Sequence, residues 1–192
     1  MLATNKLGRR SFLIKGSALL ACSTFSLPSI AKSSGPKKIP SAYIFYAKKN
    51  NVPAEILYSI AHVESRHSKT ASPHIYAMNF KGKSFFFSNR ETLYKNALHL
   101  LESGFKSFDI GPVQVNWKWH SERFDNDLWL ATDPERNLNA GAEYLREQFD
   151  KYGDWFTAGG KYHSPGLNKK QLRNYNRYKN RLISVYKELG YA

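Results

Sequence analysis

Pro53-Ala54-Glu55-Ile56-Leu57-Tyr58-Ser59-Ile60-Ala61-His62-Val63-Glu64-Ser65-Arg66-His67 is the stretch from which the rest of the chain can be aligned. Proline suits the first turn of a helix, so Pro53 marks a start. At 100° per residue, Ile56, Ile60 and Leu57 fall near about 0°, 40° and 100° on the helix wheel. Glu64 falls at about 80°, inside that apolar stripe, whereas Glu55 falls at about 260°, on the opposite face. A carboxyl group desolvated on an apolar face favours its neutral form, and a carboxyl protonated near neutrality can act as a general acid. Pairing of Glu64 with Arg66, His67 or a distant base is the plainer alternative.

Outward from this helix, the pattern is mostly helical. Helices are expected near 41–50, 53–67, 90–102, 133–151, 154–160 and 168–189. Pro40 marks the first start, and Asn89 is placed to cap the third helix, with Glu91 in its first turn. Asp133-Pro134-Glu135 opens the fourth, Gly153 closes it, and Leu138, Ala142, Leu145 and Phe149 form its stripe. Tyr175, Tyr178, Leu182, Tyr186 and Leu189 recur at steps of three and four in the last. Between them, Ile75–Met78 and Ser84–Phe87 flank a polar turn and predict a small β-hairpin.

Two other segments carry polar chemistry. In Asp109-Ile110-Gly111-Pro112-Val113-Gln114-Val115-Asn116, polar side chains alternate beside Gly and Pro. Gln114 and Asn116 offer both donors and acceptors, as sugar hydroxyls and acetamido groups require. An ordinary loop leading into a helix fits the segment equally well. Tyr162-His163-Ser164-Pro165-Gly166 closes a helix with a polar aromatic pair. A tyrosine hydroxyl there can orient a nearby carboxyl group, or simply belong to a capped helix end. The four tryptophans, Trp117, Trp119, Trp129 and Trp155, are core rings first and sugar platforms second.

Taken in order, Ile60-Ala61-His62-Val63-Glu64-Ser65, Gly111-Pro112-Val113-Gln114-Val115-Asn116, Asn137-Leu138-Asn139-Ala140-Gly141-Ala142-Glu143-Tyr144-Leu145 and Gly160-Lys161-Tyr162-His163 resemble the soluble lytic transglycosylase (SLT) family. The resemblance covers roughly residues 41–190. It implies a mainly α, goose-type lysozyme-like domain with a small β-hairpin insertion. It implies cleavage of the β-1,4 bond from N-acetylmuramic acid to N-acetylglucosamine in peptidoglycan, leaving a 1,6-anhydro-muramoyl end. Glu64 matches the sole catalytic acid/base, Ser65 the serine that follows it, Gln114 the glutamine of Gly-Leu-Met-Gln, and Tyr162 the tyrosine of Ala-Tyr-Asn. Asn116 and His163 complete the expected substrate-binding set. Pro112-Val113 stands in place of Leu-Met, and Lys161 and His163 in place of Ala and Asn, so the contacts of the missing Asn are open. A second catalytic carboxyl has no clear place; Asp109 is a candidate. The resemblance implies no metal or cofactor. The hairpin with Gln-Val-Asn-Trp and Tyr-His-Ser-Pro is similar to transglycosylases carried with conjugation, type IV secretion or pilus systems. That implies a monomer that works on glycan strands beside such a machine. A hydrolytic muramidase and an inactive wall-binding scaffold are the alternatives.

The N-terminus reads as an address. Lys6, Arg9 and Arg10 precede a mostly apolar run, and Ser29-Ile30-Ala31 suits signal peptidase. Residues 1–31 are expected to be an export signal of the general or twin-arginine type, 32–40 a linker and 41–192 the catalytic domain, working in the periplasm or envelope. Leu19-Leu20-Ala21-Cys22 resembles a lipobox, which makes a lipid anchor at Cys22 the alternative to simple cleavage. The chain of 192 residues holds one cysteine, so an intrachain disulfide and a cysteine-based zinc site are excluded. Its formal charge of +14 suits an anionic wall polymer. The basic run Lys161, Lys169, Lys170, Arg173, Arg177, Lys179 and Arg181 would also suit nucleic acid. Export argues against that partner, and no nucleic acid is expected.

Overall fold

The computed structural model describes residues 35–192; the expected export signal over 1–31 and Cys22 lie outside the described residues. The elements are α1 (Ser41–Lys49), α2 (Ala54–Ser65), β1 (Arg66–His67), β2 (Ser72–Pro73), β3 (Ala77–Phe80), β4 (Lys83–Phe86) and α3 (Arg90–Glu102). They continue with β5 (Asp109–Ile110), β6 (Val115–Asn116), α4 (Trp117–His120), α5 (Leu128–Ala131), α6 (Pro134–Tyr152), α7 (Trp155–His163) and α8 (Lys169–Glu188). The expected mainly helical architecture with a small hairpin is therefore present.

Local chemistry accounts for most boundaries. Asn89 caps α3 by accepting from the Thr92 N–H at 2.9 Å. Asp133 caps α6 through the N–H groups of Glu135 and Arg136, Pro134 occupies its first turn, and Gly153 ends it at φ 69°. Asp154 caps α7, and Asn168 with Gln171 forms a capping box on α8. The β3–β4 turn consists of Lys81 and Gly82, both at positive φ, as a two-residue hairpin requires.

Two expectations are corrected, and one further stretch carries none. Helix α2 ends at Ser65 rather than His67, because Arg66-His67 pairs antiparallel with Ser72-Pro73. Residues 109–116, open to reading as a loop, hold two short strands joined by the turn Gly111–Gln114, and the sheet runs β4-β3-β5-β6, all antiparallel. The region 117–131 carries α4, a 3-10 turn over Ser121–Phe124 and α5, each too short for a periodic signal. In addition, part of the expected linker is fastened down. The Lys37 N–H donates to the Leu189 carbonyl at 2.8 Å, and the Tyr191 hydroxyl donates to the Lys37 carbonyl at 2.7 Å.

Helix α2 lies at the centre, packed against α1, α7 and α8, with α6 bracing α1 and α7. It is not a surface helix with a wet back. From Ile56 to Ser65 every residue is buried except Glu64. A helix apolar on all sides belongs in a core, and burial at Ser59 and His62 extends that core over its polar positions. Helix α7 comes close to α8 because Gly159 leaves room for the Leu182 side chain; a Cβ there would collide with it. Leu182 is fully buried at this crossing. Leu182→Ala should therefore lower unfolding free energy by about 3 kcal/mol, read from urea denaturation of residues 32–192.

Candidate active site

The site forms where the C-terminal end of α2 meets the β5–β6 turn, the end of α7 and the middle of α8. The turn Gly111–Gln114 is buried along its length. Side chains from several helices satisfy its backbone. The Ser65 hydroxyl donates to the Pro112 carbonyl at 2.7 Å, with the Ala61 carbonyl 3.1 Å away. The Tyr162 hydroxyl donates to the Val113 carbonyl at 2.7 Å. The Asn137 amide donates to the Ile110 carbonyl at 2.9 Å and accepts from the Val113 N–H at 3.4 Å. The Gln114 amide donates back to the Gly111 carbonyl at 2.8 Å. Gly111 needs its lack of a side chain twice over: its φ is 80°, and a Cβ would strike Asn137.

Glu64 opens into this region with 15% of its side chain exposed. His163 Nδ1 lies 3.8 Å from Glu64 Oε1, a charge contact longer than a hydrogen bond. The imidazole stacks on the Tyr178 ring, centroids 4.5 Å apart and planes 10° apart. Burial alone would disfavour the His163 cation, but the pull of Glu64, with Asp109 beyond it, raises its pKa above the usual imidazole value. The Tyr178 hydroxyl is buried and makes no hydrogen bond of good geometry among the described residues. Burial first, and then the neighbouring Glu64 carboxylate, push its pKa well up. It is therefore a neutral donor standing beside Glu64.

Asp109 is the second carboxyl in the group. Its Oδ1 accepts from the Asn116 amide at 2.7 Å across the β5–β6 ladder, where the two residues are register partners. Burial raises its pKa to about 6; the Asn116 hydrogen bond opposes the rise and the Glu64 charge adds to it. Asn116 Oδ1 is buried without a partner among the described residues. Beside this pair, a cleft of about 610 Å³ runs out between the β3–β4 turn and the start of α4.

The expected residues thus come together, but in two different jobs. Glu64 and His163 face the open region, and Asn116, bonded to Asp109, lines the cleft beside it. The Ser65 and Tyr162 hydroxyls and the Gln114 amide N–H bond the turn, and the Tyr162 hydroxyl donates to Val113 rather than making an orienting bond to Glu64. Tyr178 is the hydroxyl beside Glu64, and periodicity had absorbed it into the apolar stripe of α8. The available signal was chemical: a buried tyrosine needs a partner for its hydroxyl, and no neighbour on α8 supplies one. Lys161 leaves the basic run; it is buried, with its ammonium 5.4 Å from the Tyr152 ring and 5.1 Å from that of Tyr175. Of the tryptophans, Trp117 is buried, Trp155 stacks on Phe149, Trp129 lies under Arg90, and Trp119 is 65% exposed. Among the described residues no cluster of three or more His, Cys, Asp or Glu side chains could hold a metal ion.

The family model for the transglycosylase SLT domain matches residues 41–184. The chain belongs to this family. No curated protein and no solved structure matches it. The match agrees with the lysozyme-like helical fold and supports a lytic transglycosylase-type activity on peptidoglycan. Activity on peptidoglycan puts the work of the domain in the periplasm or envelope. Among the described residues no helix is long and apolar enough to cross a membrane.

The raised pKa of Asp109 has a stability consequence. The unfolded carboxyl ionises near its ordinary 3.8, the folded one near about 6. Its contribution is complete below about 4 and is lost as pH rises through about 6. His62 works in the other direction. Burial, helped by Lys37 and Arg66, lowers its pKa from 6.5 to about 4, so its contribution is complete above about 6.5 and is lost as pH falls through about 4. Asp109→Asn isolates the first effect. The variant should gain about 2 kcal/mol relative to the parent between pH 4 and pH 8, from urea midpoints at the two values. A difference independent of pH would remove the assigned shift.

Proposed function

We propose that the protein is a peptidoglycan lytic transglycosylase in which Glu64 is the single acid/base. The observation that carries this reading is the position of Glu64. It is the one opening in the buried part of α2, and the donors Tyr178 and His163 stand beside it. Protonated Glu64 gives its proton to the oxygen leaving C1 of the muramoyl sugar. The 2-acetamido group stabilises the resulting sugar cation, as substrate-assisted glycosidases do. Glu64, now ionised, takes the proton from the muramoyl 6-hydroxyl, and that oxygen closes on C1. The C1–O4 bond is broken, the C1–O6 bond is formed, and no water is consumed. Tyr178 and His163 steady the carboxylate in the interval when it is charged.

Asp109 favours a second reading. A second carboxyl near the acid could activate water, and the product would then carry a reducing end. We favour the first reading because Asp109 is already engaged by Asn116 and sits in a desolvated position. The β3–β4 hairpin and the sequence likeness to transglycosylases of conjugation and secretion systems support a role in opening the wall locally for an envelope-spanning apparatus.

Mass spectrometry of soluble products separates the two chemistries. Residues 32–192 acting on purified peptidoglycan should release anhydro-muramoyl ends, one water lighter than hydrolysed ends. Glu64→Gln should lower the rate by about a thousandfold or more with the fold retained; substantial activity in that variant would overturn the assignment of Glu64. The two tyrosines should separate in the same assay. Tyr178→Phe should lower kcat by about tenfold or more with stability unchanged or higher, the worth of a hydrogen bond to a charged group. Tyr162→Phe should instead cost about 1 kcal/mol of stability, because it strands the Val113 carbonyl.

A further inference from the structure

The cleft beside Asp109 and Asn116 is cationic. Lys81 enters it from the β3–β4 turn, Lys106 from the loop after α3, and Lys118 from α4. All three are exposed, and none has a carboxylate partner within 4 Å among the described residues. Asp109, at the inner end, is the one carboxylate of the lining among the described residues. The lysines come from three separate segments, so their convergence is a product of the fold rather than of one basic run.

Part of the wall is aromatic and held in shape. Phe80 and Phe105 lie 5.2 Å apart, and the Lys81 ammonium sits 5.1 Å from the first ring and 4.4 Å from the second. The turn that presents Lys81 is fixed by the Asn79 side chain, which accepts from the Gly82 N–H at 3.1 Å. A cation parked on two rings is attracted by them yet keeps donors for a ligand.

We propose that this cleft binds the peptide stem of peptidoglycan through its free carboxylates. The inference rests on the reading of the protein as a peptidoglycan-cleaving enzyme. A glycan strand seated at Glu64 carries a stem on the lactyl group of each muramoyl residue, and stems bear free carboxylates of glutamyl and diamino-acid residues. The cleft shares Asp109 and Asn116 with the site, so a stem leaving the bound strand on that side meets Lys106, Lys118 and Lys81. Asp109, at the inner end of the cleft, would when ionised repel a stem carboxylate from the chemistry. The lysines give it a place outside. Their position makes them selectors of substrate, with no part in the bond-breaking step.

The test compares two substrates and one triple variant, Lys81→Ala/Lys106→Ala/Lys118→Ala. Soluble glycan strands with intact stems are compared with the same strands stripped of peptides by an amidase. On peptide-bearing strands the variant should show KM raised about tenfold with kcat unchanged, three weak ion pairs together giving an effect of that order. On stripped strands it should equal the parent. The parent's preference for peptide-bearing strands should fade as salt is raised, because exposed charges are screened. An equal loss on both substrates would make the patch a general anchor for anionic wall polymer, and no change on either would make it inert; both overturn the proposal. If the parent cleaves neither substrate, the enzymatic reading fails separately. Titration with the free tripeptide L-Ala-γ-D-Glu-meso-diaminopimelate then decides the cleft, since weaker binding by the triple variant supports it and equal binding sinks it.

Discussion

The turn Gly111–Gln114 is a stretch of irregular backbone inside the core, and every polar group on it must find a partner there. A buried carbonyl or N–H left unsatisfied costs about 1–3 kcal/mol, so the turn exists only because side chains from several helices reach it. Ser65 comes from the end of α2, Asn137 from α6 and Tyr162 from α7. These bonds fix the end of α2 against the sheet and the ends of α6 and α7 against both. Glu64 inherits its position from them. It is flanked by the Ser65 anchor on one side and by buried Val63 on the other, so its carboxylate has little freedom except toward the open region.

Close packing around the turn has the same logic. Gly141 on α6 faces the Val113 side chain, and any Cβ there would strike it. Gly111 would strike Asn137 in the same way. The small residues are thus placed where two elements must touch for the hydrogen bonds to reach. This accounts for the shape of the sequence likeness to the family. Its separate segments are the contact points of one buried turn, drawn from distant parts of the chain.

Much of the fold was legible because its helices are long and punctuated. Asn89, Asp133, Asn168 and Gly153 act locally, so their boundaries survive in the sequence with an error of a residue or so. The end of α2 was not legible. Glu64-Ser65-Arg66-His67 holds no glycine or proline, and the helix stops because Arg66-His67 finds a strand partner in Ser72-Pro73. The two-residue strands β5 and β6 were missed for the same reason, since pairing partners rather than propensity define them. At the site, Glu64 stood out because its own helix makes a carboxylate conspicuous. The roles of Ser65, Gln114 and Tyr162 were not legible in detail. A polar side chain that bonds a backbone group and one that bonds a sugar look alike in sequence.

The departures from the family pattern become less puzzling in these terms. Pro112-Val113 replaces Leu-Met at the turn, yet what the turn offers to its neighbours is backbone: the Pro112 carbonyl to Ser65 and the Val113 carbonyl to Tyr162. Proline has no N–H to satisfy in a buried turn, and valine still packs on Gly141. With Pro112-Val113 in place, the turn makes its backbone bonds to Ser65 and Tyr162 and its packing contact with Gly141. The replacement of Asn by His163 is of another kind, because it changes chemistry at the open face. An imidazole stacked on Tyr178 and drawn toward Glu64 brings a titratable cation where an amide would bring only a dipole. The two substitutions therefore divide along the same line as the site residues themselves. Pro112-Val113 belongs to the scaffold that fixes the end of α2, and His163 belongs to the open face beside Glu64.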